Sequence, residues 1–291
     1  MTGQLTWLVT GCSSGIGEAF VRTILAKGDR VIATARASNG ISGETRLASL
    51  KEAGAATLEL DVLASQADLN LKAKEAWGIY GQVDVLVNNA GYVEAGIFEE
   101  LDESIITHAL RTTVLGPLNV TRAFIPLMRE AKTGTLLFVG SVGIYYGAPG
   151  ANCYTGGKGL IEGLVPNMAV EVAPFGIRTS ILVFGHFRTS LMAPERTKFS
   201  ASDRQPLAEY EEINKLIKAG LGAQNGTQPG DPAKACELVV EAVRGEGRCA
   251  GKELPLRLPV GADAFELVRS YSAAQVQLCD EWEGITSETN I

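Results

Sequence analysis

The stretch Leu5-Thr-Trp-Leu-Val-Thr-Gly-Cys-Ser-Ser-Gly-Ile-Gly17 runs an apolar strand into a glycine turn and on into a helical pattern over 16–27. Glycines at such a turn let backbone approach a pyrophosphate and let the strand close against the helix. The helix N-terminus then turns unpaired amides toward the anion. Candidate phosphate-binding residues are therefore Gly11, Ser13, Ser14, Gly15, Ile16 and Gly17. The spacing G-x-x-x-G-x-G differs from the commoner G-x-G-x-x-G, and a glycine turn can also be a plain strand-to-helix connection. Its place at the first strand–helix junction favours the nucleotide reading.

Outward from this turn, short apolar runs alternate with helical patterns. Strands are expected at 5–9, 30–35, 56–60, 83–87, 134–139, 177–184 and 254–258. Helices are expected at 16–27, 45–53, 66–77, 102–129, 152–173, 207–219, 232–243 and 262–282. Runs that are apolar on both faces suit strands covered on each side, so the pattern predicts an α/β fold: a doubly wound parallel sheet of about seven strands with helices on both faces. No linker separates two cores. One domain over 1–291 is expected, with an insertion at about 185–230 and a helical extension at about 262–291.

Composition narrows the class. The chain has 291 residues, 46% hydrophobic and 20% charged, with a formal net charge of −7. That apolar share fills a sizeable core, and the acidic balance leaves no basic footprint for nucleic acid or anionic membrane. Five cysteines without C-x-x-C spacing and only two histidines, His108 and His186, assemble no zinc cluster, so no metal is expected. The N-terminus lacks early positive charge and an apolar segment, which argues against a secretory leader and for the cytoplasm. The uncharged stretch 133–157 is too punctuated by Gly, Pro, Ser and Asn to span a membrane.

Two positions bear on the nucleotide. Asp61, ending the third expected strand and followed by Val62, can accept a hydrogen bond from an adenine amino group or cap a helix; both readings stay open. At the end of the second strand, where an adenosine ribose is usually met, the chain has Arg36 rather than Asp or Glu. A carboxylate there would repel a 2′-phosphate, whereas a guanidinium matches it. NADP(H) is expected in preference to NAD(H).

Tyr154-Thr-Gly-Gly-Lys158 places a phenol and an ammonium one helical turn apart on one face. A neighbouring cation stabilises a phenolate and lowers its pKa, tuning it for acid–base work during hydride transfer. Ser141, just after the fifth strand, belongs at the same carboxyl edge of the sheet.

These residues together give the chain its resemblance to the classical short-chain dehydrogenase/reductase family. The motifs that carry it are Thr10 to Gly17, Asp61-Val62, Asn88-Asn-Ala-Gly91, Ser141, Tyr154-x-x-x-Lys158 and the segment from Gly185 to Thr189. The resemblance implies a Rossmann fold. It implies that Tyr154 is the general acid/base, that Ser141 positions the substrate oxygen, and that Lys158 lowers the tyrosine pKa and holds the nicotinamide ribose. It also implies that Asn88, Ala90 and Gly91 line the cofactor and that Thr189 meets the carboxamide. The stretch from Leu254 to Phe265 is similar to the hydroxysteroid-dehydrogenase-like subset, which acts on bulky apolar ketones and alcohols.

Two departures stand out. Thr113, in Thr113-Val-Leu-Gly116, occupies the place of the family's relay asparagine, and Phe184-Gly185 replaces the usual Pro-Gly. The expected activity is NADP(H)-dependent interconversion of a carbonyl and a secondary alcohol on a small-molecule substrate. Tyr92, Val93, Tyr145, Tyr146, Phe187, Leu191 and Met192 are candidate walls for its apolar body. The rival readings are an enzyme using the scaffold for dehydration, cyclisation or isomerisation, and a non-catalytic NADP(H)-binding protein. A homodimer or homotetramer is expected through the helices near 102–130 and 152–173. Each carries a second apolar stripe: Ile105, Ile106, Leu110, Val114 and Leu118 on one, and Leu160, Leu164, Met168 and Val172 on the other.

Overall fold

In the computed structural model, which describes residues 3–192, 198–199 and 207–289, β1 (Thr6–Val9) is buried at every residue. It feeds α1 (Gly15–Ala26). The alternation continues through β2 (Arg30–Ala35), α2 (Gly43–Arg46), α3 (Ala48–Glu52), β3 (Ala56–Glu59), α4 (Gln66–Tyr80) and β4 (Val85–Asn88). After a short β5 (Glu94–Ala95) come α5 (Glu103–Leu110), a π-helical turn over Arg111–Leu115, α6 (Gly116–Ala131) and β6 (Gly134–Val139). A 3-10 turn (Val142–Tyr145), α7 (Asn152–Val172) and β7 (Ile177–Phe184) follow. Then come β8 (Lys198–Phe199), α8 (Glu211–Gln224), α9 (Pro232–Arg244), β9 (Arg257–Val260) and α10 (Ala262–Thr286).

Seven strands form one all-parallel sheet in the order β3-β2-β1-β4-β6-β7-β9, while β5 and β8 pair separately. Chain order reverses between β1 and β4, so the crevice at their carboxyl ends is where such a sheet binds ligands. Strand side chains alternate between two cores. Trp7 and Val9 pack with Phe20 of α1 and Val239 of α9, whereas Leu8 packs in the core that holds Phe124 of α6 and Ile161 of α7. Both faces are covered, as the doubly apolar strands predicted.

A buried carboxylate ties the far edge of the first core. Asp29 accepts from the Leu5 amide at 2.9 Å, from Trp7 Nε1 at 2.9 Å and from an Arg244 guanidinium nitrogen at 2.7 Å. It thereby joins the start of β1 and the end of α9. Four of the five free cysteines are buried and Cys279 is exposed. Among the described residues no helix is long and apolar enough to cross a membrane, and no group of three or more His, Cys, Asp or Glu is placed to hold a metal.

Several boundaries differ from the sequence expectation. The helix expected over 45–53 is two short ones, α2 and α3, meeting at Leu47. The helix expected over 102–129 widens into a π turn at Arg111–Leu115. Pro117, at the second position of α6, has no amide to return to the Thr113 carbonyl, and its ring crowds that carbonyl. The last strand starts at Arg257 rather than at 254, because Pro255 has no amide for the ladder. Pro259 is tolerated within β9 because that strand is the sheet's edge. The helix expected over 207–219 is a 3-10 turn followed by α8, which runs to Gln224. In the two stripes proposed for assembly, Val114 and Val172 belong to the core instead, while Leu160 and Leu164 stay exposed; Leu115, outside the expected stripes, is exposed too.

Candidate active site

The turn between β1 and α1 depends on backbone that only glycine supplies without strain. Gly11 has φ +72°, and a Cβ there would lie 2.9 Å from Ala90 Cα. Gly17 lets α1 close on the turn, since a Cβ there would collide with the Gly11 carbonyl. Thr10 and Asn89 then staple two loops together. Thr10 Oγ1 accepts from the Asn89 and Ala90 amides at 3.0 Å each, and Asn89 Nδ2 donates to the Thr10 carbonyl at 2.8 Å.

These loops open onto a cavity of about 650 Å³ at the carboxyl edge of the sheet. Of the residues expected at the site, Gly11, Ser13, Ser14, Gly15, Ile16, Arg36, Asp61, Val62, Ala90, Gly91, Ser141, Tyr154, Lys158 and Thr189 line it. Three do not. Gly17 lies behind the turn. Asn88 is buried against α6, donating to Thr121 Oγ1 at 2.9 Å, and its neighbour Asn89 lines the cavity instead. Thr113 is buried on the side of α7. Its hydroxyl donates to the Ala109 carbonyl at 2.8 Å, and a Cβ on Gly157 would collide with it. A catalytic role for Thr113 through its side chain therefore has no support in this geometry.

Asp61 caps no helix. Its Oδ1 accepts from the Leu63 amide at 2.9 Å, and Ser65 is the residue that caps α4. The expectation missed Arg46. α2 folds back so that this side chain donates to the Arg36 carbonyl at 2.8 Å and to Ser13 Oγ at 2.9 Å, bridging the end of β2 to the glycine turn. Nothing in the local sequence marks it, because its place depends on where α2 docks.

On the other side of the cavity, β6 delivers Ser141, whose Oγ accepts from the Gly143 amide at 3.1 Å. α7 presents Tyr154 and Lys158. Lys158 is 6% exposed, and its ammonium donates to the Val139 carbonyl at 2.6 Å. Burial without a carboxylate partner pulls its pKa down to about 8. The Tyr154 phenol moves in the opposite sense to the expectation: burial pushes it up, the Ser141 hydroxyl opposes that rise, and the nearby Tyr146 adds to it. The Lys158 ammonium lies 5.9 Å from the tyrosine ring centroid and is engaged with Val139.

A nicotinamide dinucleotide fits these residues. The amides at the start of α1 and the space left by Gly11 suit its pyrophosphate. Among the lining residues Arg36, Arg46 and Lys158 bring positive charge and Asp61 alone brings negative charge, which suits a polyanion. Lys158 has donor capacity beyond its bond to Val139.

A parallel sheet that meets such a cradle at its switch point, with a half-buried tyrosine and a buried lysine across the cavity, defines a dinucleotide-dependent oxidoreductase. Residues 6–199 match the model of the short chain dehydrogenase family. The chain is 31% identical to an oxidoreductase, BOA17, of Botryotinia fuckeliana over 89% of its length and 90% of that protein's. Among solved structures it is similar to a short-chain dehydrogenase from Streptomyces avermitilis, with 34% identity, TM-score 0.80 and coverage of 99% and 100% of the two chains. It is also similar to an actinorhodin polyketide ketoreductase solved with NADPH, with 26% identity, TM-score 0.66 and coverage of 88% and 95%. The chain belongs to the short-chain dehydrogenase family, and is an oxidoreductase of the carbonyl–alcohol couple served by a nicotinamide cofactor.

Proposed function

We propose that this protein interconverts a ketone and a secondary alcohol on a bulky, largely apolar substrate, using NADP(H), with Tyr154 as general acid/base. The observation that carries the reading is the convergence of Ser141, Tyr154 and Lys158 on the cavity that also holds the glycine turn. When bound, the nicotinamide supplies or accepts the hydride. Tyr154 gives its phenolic proton to the carbonyl oxygen in reduction and takes it back in oxidation. Ser141, beside that phenol, holds the same oxygen. Lys158 supplies the positive charge that favours the phenolate between the two events.

Two guanidiniums, Arg36 and Arg46, support NADP(H) over NAD(H), since either can meet a 2′-phosphate at the end of β2. Tyr92, Phe187 and Leu191 line the cavity and support an apolar substrate body. Of the other expected wall residues, Tyr145 packs edge-on against Tyr271 of α10, Val93 is buried outside the lining, and Tyr146 and Met192 lie outside the lining as well. Of the described residues of the 185–230 segment, Gly185, Phe187, Thr189, Ser190 and Leu191 line this site.

The test is purified protein with NADPH and a panel of bulky ketones, followed at the nicotinamide absorbance. Ketone-dependent oxidation of NADPH, faster than that of NADH, is the expected result. Binding of NADPH with no turnover of any ketone or alcohol would favour the non-catalytic reading instead. We also propose assembly into a homodimer or homotetramer through the helices near 102–130 and 152–173, supported by the exposed Leu115 of the π turn and Leu160 and Leu164 of α7. Light scattering is expected to give a multiple of the 30.8 kDa chain mass, and a single-chain mass at micromolar concentration would refute it.

A further inference from the structure

Beside the catalytic group, three polar side chains from distant parts of the chain form one hydrogen-bonded row. Tyr146 Oη stands 3.1 Å from His186 Nε2. His186 Nδ1 stands 2.9 Å from Asp263 Oδ2, and the same oxygen accepts the His186 backbone amide at 2.7 Å. Tyr146 lies five residues after Ser141, His186 two residues after β7, and Asp263 in the first turn of α10.

The row is seated in built space. A Cβ on Gly185 or on Gly261 would collide with the Asp263 carboxylate, so two glycines leave room for it. α10 grips the same loop a second time, through the edge-on contact of Tyr271 with Tyr145 at 5.2 Å between ring centroids.

With His186 in the tautomer that keeps its proton on Nδ1, facing the Asp263 carboxylate, Nε2 offers a lone pair and the Tyr146 hydroxyl donates to it. Its oxygen is left presenting lone pairs only, at a residue that is 39% exposed. His186 sits between Gly185 and Phe187, both of which line the cavity, and the Tyr146 hydroxyl is held 3.1 Å from its Nε2.

We propose that Tyr146, oriented by His186 and Asp263, is a hydrogen-bond-accepting subsite for a second oxygen of the substrate. The substrate class is then a hydroxyketone, or the corresponding diol, in which a hydroxyl remote from the reacting carbon donates to Tyr146. His186 and Asp263 are positioning residues, since they act through the tyrosine. This inference rests on the ketone–alcohol reading above and deepens it.

The experiment compares a bicyclic decalone with its monohydroxylated derivatives, using the full chain and NADPH. At least one hydroxylated derivative is expected to exceed the parent in kcat/KM by roughly three- to tenfold, the worth of one neutral hydrogen bond. Tyr146→Phe should abolish that ratio through KM rather than kcat. His186→Leu should reduce it, and the double variant should lose no more than Tyr146→Phe alone. A mere tether between loop and helix would change both substrates alike and leave the ratio intact. Equal kcat/KM for parent and derivatives, or a ratio that survives Tyr146→Phe, overturns the subsite alone. Turnover of neither class with NADPH overturns the reductase reading and the subsite with it.

Discussion

The two sides of the central cleft are built from different materials. On the nucleotide side the partners are backbone and short side chains within or between adjacent loops: Thr10 Oγ1 on two amides, Asn89 on the Thr10 carbonyl, and Gly11 in the left-handed region. On the substrate side the partners are longer side chains joining segments far apart in sequence. Asn214 of α8 donates to Glu100 at 3.0 Å, Tyr210 donates to Glu99 at 2.7 Å, and Tyr146, His186 and Asp263 form their row. A pyrophosphate is the same in every dinucleotide, and fixed amides read it. A substrate is read by side chains, which can change without disturbing the sheet.

The two sides meet at α7, and the largest effect is expected there. Tyr154→Phe removes one hydroxyl and preserves the ring, so packing and NADPH binding should survive while kcat falls by roughly 10²–10⁴. Wild-type-like turnover in that variant would sink the acid/base assignment.

Next in size is a stability effect in the core beneath the nucleotide side, at the opposite edge of the sheet. Asp29→Ala strands the Trp7 and Leu5 donors and removes a partner of Arg244. Breaking a buried ion pair by removing one member costs about 3 kcal/mol, which lowers Tm by roughly 5 °C in a chain of this length. Calorimetry checks this, and an unchanged Tm would mean that the rigidity of this side has another source.

The same contrast accounts for what was legible beforehand. Most of the glycine turn, Arg36, Ser141, Tyr154 and Lys158 share the cavity as expected because each is placed by the strand or helix next to it in sequence. Arg46 is missed because its position follows from the docking of α2, ten residues beyond Arg36. Thr113 is misplaced because a helical pattern does not reveal the π turn that Pro117 imposes, and Asn88 is exchanged with Asn89 because a strand end alternates its faces. The Tyr146–His186–Asp263 row is invisible to any local pattern, since residues 146 and 263 meet only through tertiary packing.

Arg36→Asp tests cofactor choice, with a smaller effect. A charge-assisted hydrogen bond is worth roughly 1.5–3 kcal/mol, about one to two decades in affinity. Replacing it with a carboxylate should reverse the preference to NADH, because repulsion is added to the lost attraction. Dissociation constants for both cofactors provide the measurement. Equal binding of NADPH and NADH by the native protein would refute the NADP(H) reading. A preference for NADPH that outlives Arg36→Asp would transfer the role to Arg46.

The smallest expected effect is the sharpest test of the two-sided construction. Asn214 is 9% exposed and holds α8 to Glu100, which also accepts the Leu207 amide at 2.9 Å. Asn214→Ala removes one of these ties and leaves the other, so its cost is about 1 kcal/mol. If α8 acts independently of the nucleotide side, that loss loosens it and raises substrate KM by a few fold. The Kd for NADPH should stay within error, because the Thr10–Asn89 staple and the glycine turn share no partner with α8. Sites without shared partners are close to additive, so Asn214→Ala combined with Arg36→Asp should show the sum of the two single effects. A Kd for NADPH that moves as far as KM, or a double variant far from additive, would mean that α8 and the nucleotide cradle move as one body.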